Sequence, residues 1–181
     1  MNPVTAATRR FFVGLSRLVA LAAVLAALVC PAQDQRPATN ADVGKANDEI
    51  QHLISLYAKA ADEADPTLAS RVWCNSSEDS LINPAGRWSG VEAILGFYRH
   101  EMGDTYSSRT LKITDISVRL YTDAAWAEFG WDFEATRRKD GSAVSLHGME
   151  TQIYRNNHAS WCLVHVHYSA LSAEGRQGQN E

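Results

Sequence analysis

The spacing of apolar positions changes once along this chain, near Ser108. Upstream, Ile50, Leu53, Ile54, Tyr57, Ala58 and Ala61 recur at three- and four-residue intervals and predict one long amphipathic helix. Asp65-Pro66 ends it, with Asp placed to cap and Pro to begin a short second helix through Leu68 and Val72. An extended piece around Leu81 to Asn83 stops at Pro84-Ala85-Gly86. Ser89-Gly90-Val91-Glu92 then fits a capping box opening a third helix, with Ile94, Leu95, Phe97 and Tyr98 as its apolar residues. Downstream of Ser108 the period is two. Leu111 to Leu120, Ala124 to Ala135, Val144 to Arg155 and Trp161 to Ser169 predict four long strands, turned at Thr122-Asp123, Asp140-Gly141 and Asn156-Asn157. Between Ile113 and Ile116 the alternation slips by one, the mark of a bulge. Helices first and strands second give an α+β class, with helices on one face of a curved antiparallel sheet.

Two strands carry the candidate chemistry. In the last one, strict alternation puts Trp161, Leu163, His165, His167 and Ser169 on one face and Cys162, Val164, Val166 and Tyr168 on the other. That predicts a strand running from packed core into a polar pocket edged by His165 and His167. Their Cα atoms stand roughly 6.5 Å apart, so acid/base imidazole chemistry is open to them. A shared metal with His147 or Glu150 as third ligand is open too, and so is a plain hydrogen-bonded pair in a polar cavity. In the second strand, Ala125, Ala127, Phe129, Trp131 and Phe133 must pack, while Glu128, Asp132 and Glu134 share the opposite face. If the apolar face meets the helices, the carboxylates are outside. If it meets a second subunit, Glu128 and Asp132 enter the pocket.

The front of the chain is set apart from the fold. Arg9 and Arg10 precede an apolar stretch from Leu18 to Val29 and then Cys30-Pro31-Ala32. About a dozen apolar residues is too few for a bilayer span, which needs roughly twenty. Residues 1–32 therefore read as a signal peptide, and Thr8-Arg9-Arg10-Phe11-Phe12-Val13 resembles the twin-arginine export signal. Val29 is too bulky for a lipoprotein box at Cys30. Residues 33–47 read as a flexible lead-in, 48–171 as one domain and 172–181 as a disordered tail. A periplasmic or secreted location follows, with no membrane contact after signal removal. Cys74 and Cys162 are then either a disulfide or two buried thiols. The net charge of -4 and the lack of a basic block beyond Arg137-Arg138-Lys139 argue against nucleic acid. No phosphate loop, nucleophile elbow or cysteine-histidine metal spacing is present, and no cofactor or metal is expected. Of five tryptophans, Trp88 alone has no obvious core obligation and is a candidate roof for a pocket mouth or a subunit contact.

The Tyr57 helix ending at Ala64-Asp65, the run Pro84-Ala85-Gly86-Arg87-Trp88-Ser89-Gly90-Val91-Glu92-Ala93-Ile94 and the Trp161 to Ser169 strand together resemble the nuclear transport factor 2-like superfamily. Within it the chain is most similar to SnoaL-like domains and the association domain of calcium/calmodulin-dependent kinase II. The resemblance spans about residues 48 to 170 and implies a cone-shaped α+β fold that often pairs through its sheets. It implies little about activity, because the superfamily holds isomerases, cyclases, dehydratases, hydrolases and binders. Compared with the steroid isomerases of this fold, Tyr57 lies where they carry the oxyanion tyrosine and Tyr98 where they carry its support. Asn83 stands in place of the base aspartate, and the second oxyanion acid falls near Thr151. Asparagine has no basic form near neutral pH, so that mechanism is not expected.

The sequence-level expectation is a homodimeric exported domain binding a small organic molecule in an apolar pocket. Its candidate lining is Tyr57, Trp73, Asn83, Tyr98, His147, Thr151, His165 and His167. The alternatives are a cofactor-independent isomerase, dehydratase or cyclase working through His165 and His167, and a structural oligomerisation module.

Overall fold

The computed structural model describes residues 40–157 and 160–171. Residues 1–32, read as a signal peptide, and residues 172–181, read as a tail, lie outside the described residues. Helix α1 (Asn40–Glu63) buries Ile50, Leu53, Ile54, Tyr57, Ala60 and Ala61, the stripe its spacing predicts. It begins inside the stretch read as a lead-in, since Asn40 to Asn47 are already helical. Helix α2 (Pro66–Ser70) starts under an Asp65 side chain that accepts from the amides of Thr67 and Leu68.

Strand β1 (Ser80–Asn83) is the expected extended piece, and it pairs as a hairpin with β2 (Gly86–Ser89), a strand the sequence pattern does not predict. Helix α3 (Val91–Phe97) follows, capped by Gly90 at a φ of 80° with no side-chain cap, so the capping box does not form. It runs straight into a π-helical segment (Tyr98–Asp104). Strands β3 (Tyr106–Leu120), β4 (Ala124–Arg137), β5 (Ala143–Asn156) and β6 (Trp161–Ala170) complete a single sheet in the order β2-β1-β6-β5-β4-β3. All pairings are antiparallel except β1 with β6, which makes the sheet mixed. The bulge in β3 falls between Thr114 and Ser117, around Asp115 at a φ of 56°.

The helices cover one face of this sheet. The apolar row of β4, Ala125 to Ala135, is buried, and Ala125, Ala127 and Phe129 join the core that α1 and α3 complete. Its carboxylates therefore point outward, and Glu128 pairs at 3.3 Å with Arg119 on β3. Arg109 ties the helical layer to the sheet by donating to the carbonyls of Ala61, Asp62, Met102 and Tyr106. Cys74 and Cys162 form a disulfide that links the segment after α2 to the start of β6, which settles the alternative between bonded and free thiols.

A second irregularity decides the site. The β5–β6 register jumps between Ile153↔His165 and Tyr154↔Leu163, so Val164 is an extra residue in β6. Beyond it the alternation inverts. Trp161, Leu163 and Val166 are buried on the helix side, and Tyr168 follows them. His165 and His167 turn to the opposite face, against the expectation from strict alternation.

Candidate functional site

A cavity of about 380 Å3 opens between the helices and the inner face of the sheet. Its walls are mostly apolar: Ala61 from α1, Trp88 from β2, Phe97 from α3, Leu111 from β3, Trp131 and Phe133 from β4. Trp88 meets Phe97 edge to face at 4.9 Å, so the loop tryptophan does border the cavity. The Trp131 indole packs against Gly148 of the neighbouring strand. A Cβ there would stand 2.5 Å from the indole ring and 1.9 Å from the Ser169 carbonyl oxygen, so only glycine admits the tryptophan. The π-helical segment brings Tyr98, Glu101 and Met102 to the cavity, with Glu101 exposed.

The polar groups of the cavity come from three places. Glu150 on β5 is 3 % exposed, and burial pushes its pKa up to about 8, against the pull of Gln152 and Tyr57. Gln152 donates from Nε2 to Glu150 Oε1 at 2.7 Å, and the Tyr154 hydroxyl donates to Gln152 Oε1. Because Glu150, Gln152 and Tyr154 alternate along one strand, they form a buried hydrogen-bonded row on its inner face. Above that row stand the hydroxyls of Tyr57, Tyr98 and Tyr168. Burial, reinforced by the negative charge of Glu150, holds all three above the ordinary tyrosine range. The Trp73 indole approaches the Tyr98 hydroxyl and partly offsets that rise, although its N–H has no well-formed acceptor.

Asn83 is fully engaged. Its Oδ1 accepts from the amides of Ala85 at 2.7 Å and Gly86 at 3.1 Å, and its Nδ2 donates to Tyr168 Oη at 2.7 Å.

Of the residues singled out from sequence, Tyr57, Asn83 and Tyr98 line the cavity together. Trp73 is buried core behind Tyr98. His147, Thr151, His165 and His167 stand on the outer face: Thr151 faces His167 across the β5–β6 pair and Glu128 across the β4–β5 pair. The physical reason is the extra residue at Val164 for the β6 histidines. For β5, antiparallel pairing opposes Phe129 to Glu150 and sends Glu150, not Thr151, inward. His165 Nδ1 instead lies 2.7 Å from Ser80 Oγ, and burial, then His167 and Arg87, lower its pKa. Among the described residues no group of three or more His, Cys, Asp or Glu side chains is placed to hold a metal.

Sequence reasoning missed Glu150 as a pocket acid, weighing it only as a metal ligand, and missed Tyr168 because it took the histidine face of β6, rather than the face opposite the histidines, for the pocket. A signal for Glu150 was present. Folding β4 onto β5 through the Asp140-Gly141 turn puts Glu150 opposite Phe129, on the face that must pack.

Residues 50–173 match the SnoaL-like domain, and the chain belongs to that family. It is similar to a nuclear transport factor 2-like superfamily protein from Salmonella enterica serovar Typhimurium, with 37% identity, a TM-score of 0.70, and coverage of 77% of this chain and 99% of that one. A proposed dehydratase of the same family from Streptomyces avermitilis shares 18% identity over 72% of this chain and 99% of its own, with a TM-score of 0.64. A hexachlorocyclohexane dehydrochlorinase from Novosphingobium barchaimii shares 12% identity over 75% and 96%, with a TM-score of 0.65. The last two share the fold alone. A search of curated proteins finds no match. No helix among the described residues is long and apolar enough to cross a membrane.

Proposed function

We propose that this chain is an exported domain that binds a small, neutral and largely apolar organic molecule in the inner-face cavity. The carrying observation is a single buried acid, Glu150, set at the base of aromatic and aliphatic walls, with the other lining acid, Glu101, exposed at the rim and no cationic side chain among the lining residues. A carboxylate or phosphate ligand would find no positive partner there and would face the burial cost of its own charge. A neutral ring system loses little on entry, and the volume lies within the usual range of small-molecule sites. Export is supported by the N-terminal pattern and by the Cys74–Cys162 disulfide, since such bonds persist in oxidising compartments.

The test uses protein expressed in the periplasm, titrated with naphthalene-sized neutral aromatics and read by calorimetry. Micromolar binding is expected, together with its loss in Ala170→Trp, which fills the exposed rim without touching the core. Binding that survives Ala170→Trp would place the ligand elsewhere and sink the proposal.

Glu150 also supports a second reading, acid/base chemistry on the bound molecule. A carboxyl near pH 8 can hold a proton at neutrality and release it with modest cost. The isomerase route through a base at position 83 has no support, because the Asn83 amide cannot take a proton from carbon. The histidine route expected from sequence would need chemistry on the outer face.

A homodimer through that outer face is the accompanying proposal. Trp126, Met149 and Ile153 are each more than one-third exposed there, and Trp126 and Ile153 are direct cross-strand neighbours. Light scattering at micromolar concentration should give a dimer for the wild type and a monomer for Ile153→Glu. A monomeric wild type refutes it.

A further inference from the structure

The orientation of one hydroxyl is fixed by a residue that itself has no freedom. Asn83 Oδ1 accepts two backbone N–H groups, from Ala85 and Gly86. Only an oxygen can do that, so the amide cannot flip and Nδ2 must face Tyr168. Tyr168 Oη is thereby an acceptor towards Asn83, and its proton has to point away. No described protein group accepts that proton, and Tyr168 lines the cavity. Tyr168 and Glu150 are direct Cα partners across β5 and β6, so their side chains stand next to each other on the inner face. Glu150 Oε1 accepts from Gln152 Nε2, the carboxyl also bonds the Tyr57 hydroxyl, and it lines the cavity beside Tyr168. The edge-to-face contact of Trp131 with the Tyr168 ring at 5.6 Å holds the phenol in place.

We propose that Asn83 is a positioning residue that commits the Tyr168 hydroxyl as a hydrogen-bond donor, so that Tyr168 and Glu150 form a clamp selecting molecules with a neutral acceptor oxygen, such as a ketone, aldehyde, ester or lactone carbonyl. This rests on the cavity being the binding site and adds which functional group it selects. The raised pKa of Glu150 keeps that carboxyl protonated, and therefore a donor, at neutral pH. Two donors without a basic partner reward a carbonyl oxygen and give an anion nothing that offsets its desolvation. A skeleton lacking the oxygen would leave both donors unpaired, and sites of that kind discriminate strongly.

The experiment compares 2-acetylnaphthalene with 2-isopropenylnaphthalene, which have nearly the same shape and differ in the acceptor oxygen. Wild type should bind the ketone about tenfold more tightly or better, and the ketone carbonyl carbon, labelled with carbon-13, should shift downfield on binding. Tyr168→Phe should remove most of the preference and of the shift, yet hold the hydrocarbon as before. Asn83→Asp is the sharper variant. It keeps an oxygen for the Ala85 and Gly86 amides but offers Tyr168 an acceptor, so the phenol proton turns away from the cavity. The ketone should then lose as much as in Tyr168→Phe, with little change in melting temperature. Equal affinity of wild type for the two probes overturns the clamp while leaving the cavity as binding site. Retained ketone preference in Asn83→Asp overturns the positioning role, and binding of neither probe overturns the cavity proposal and the clamp together.

Discussion

The two faces of the sheet are built from the same strands and both carry polar side chains, yet those side chains meet opposite fates. On the outer face, Glu128 pairs with Arg119 in contact with water, and His165 rests on Ser80. On the inner face, Glu150, Gln152 and Tyr154 are sealed beneath the helices and satisfy one another. The glutamate facing outward is half-exposed beside an arginine, whereas the one facing inward has its pKa pushed up to about 8 by burial. The difference teaches that side-chain type does not set the chemistry here. Burial does, through the free energy of keeping a charge away from water.

The largest expected effect tests that burial directly. Folded Glu150 keeps its proton up to about pH 8, whereas the unfolded chain releases it near 4.5. Across that window the folded state binds more protons, so stability falls as pH rises and levels off above pH 8. The slope is roughly 1.4 kcal/mol per pH unit at its steepest and accumulates to several kcal/mol. Urea unfolding at successive pH values should show it, and Glu150→Gln should flatten it. An unchanged slope in that variant would mean the inner acid is solvated after all.

Next in size is a pair of glycines, one on each face. Gly148→Ala forces a methyl into the Ser169 carbonyl and the Trp131 ring, neither of which can move without opening the sheet or the core. A loss of about 3 kcal/mol or more is expected, at the top of the overpacking range. Gly130→Ala meets only Thr114 Oγ1 at 2.7 Å, the end of a side chain that can rotate, so less than about 1 kcal/mol is expected. Thermal melts of the two variants decide it. Equal losses would remove the distinction between a packed and an open face.

Much of the fold was legible because the helical stripe of α1 and the apolar row of β4 each have one consistent period. The bulge in β3 was legible because its slip separates two isoleucines, Ile113 and Ile116, whose places in the pattern are unmistakable. The extra residue in β6 was not. Val164 sits among Leu163, His165 and Val166, where either alternation gives an acceptable mix of apolar and polar faces. One undetected residue sends every side chain beyond it to the other side. That single slip separates a site edged by His165 and His167 from one edged by Tyr168. Tyr57, Tyr98 and Asn83 were legible through the resemblance to the steroid isomerases of this fold, and Tyr57 and Tyr98 also fall in the apolar stripes of their helices. Glu150 needed the β4–β5 register, which periodicity within one strand cannot supply.

The smallest expected effect falls on the histidines, and it has the opposite sign to that of Glu150. Burial lowers the pKa of His165, with His167 and Arg87 adding to the effect, so the folded chain resists charging it. In acid, below the ordinary value of 6.5, the unfolded chain takes up this proton more readily, and stability is lost as pH falls. His165 is only partly buried, so solvent screening keeps that loss small. Changing His165 and His167 together to Gln should therefore shift the melting temperature at pH 7 by a few degrees at most. It should erase the slight weakening in acid and leave 2-acetylnaphthalene affinity as in the wild type. Glu150→Gln should show the converse, with the acid limb retained and the neutral slope gone. A tenfold fall in ketone affinity in the histidine variant would put the ligand on the outer face. The cavity would then be an ordinary imperfection of packing, and the two faces would exchange the roles assigned to them.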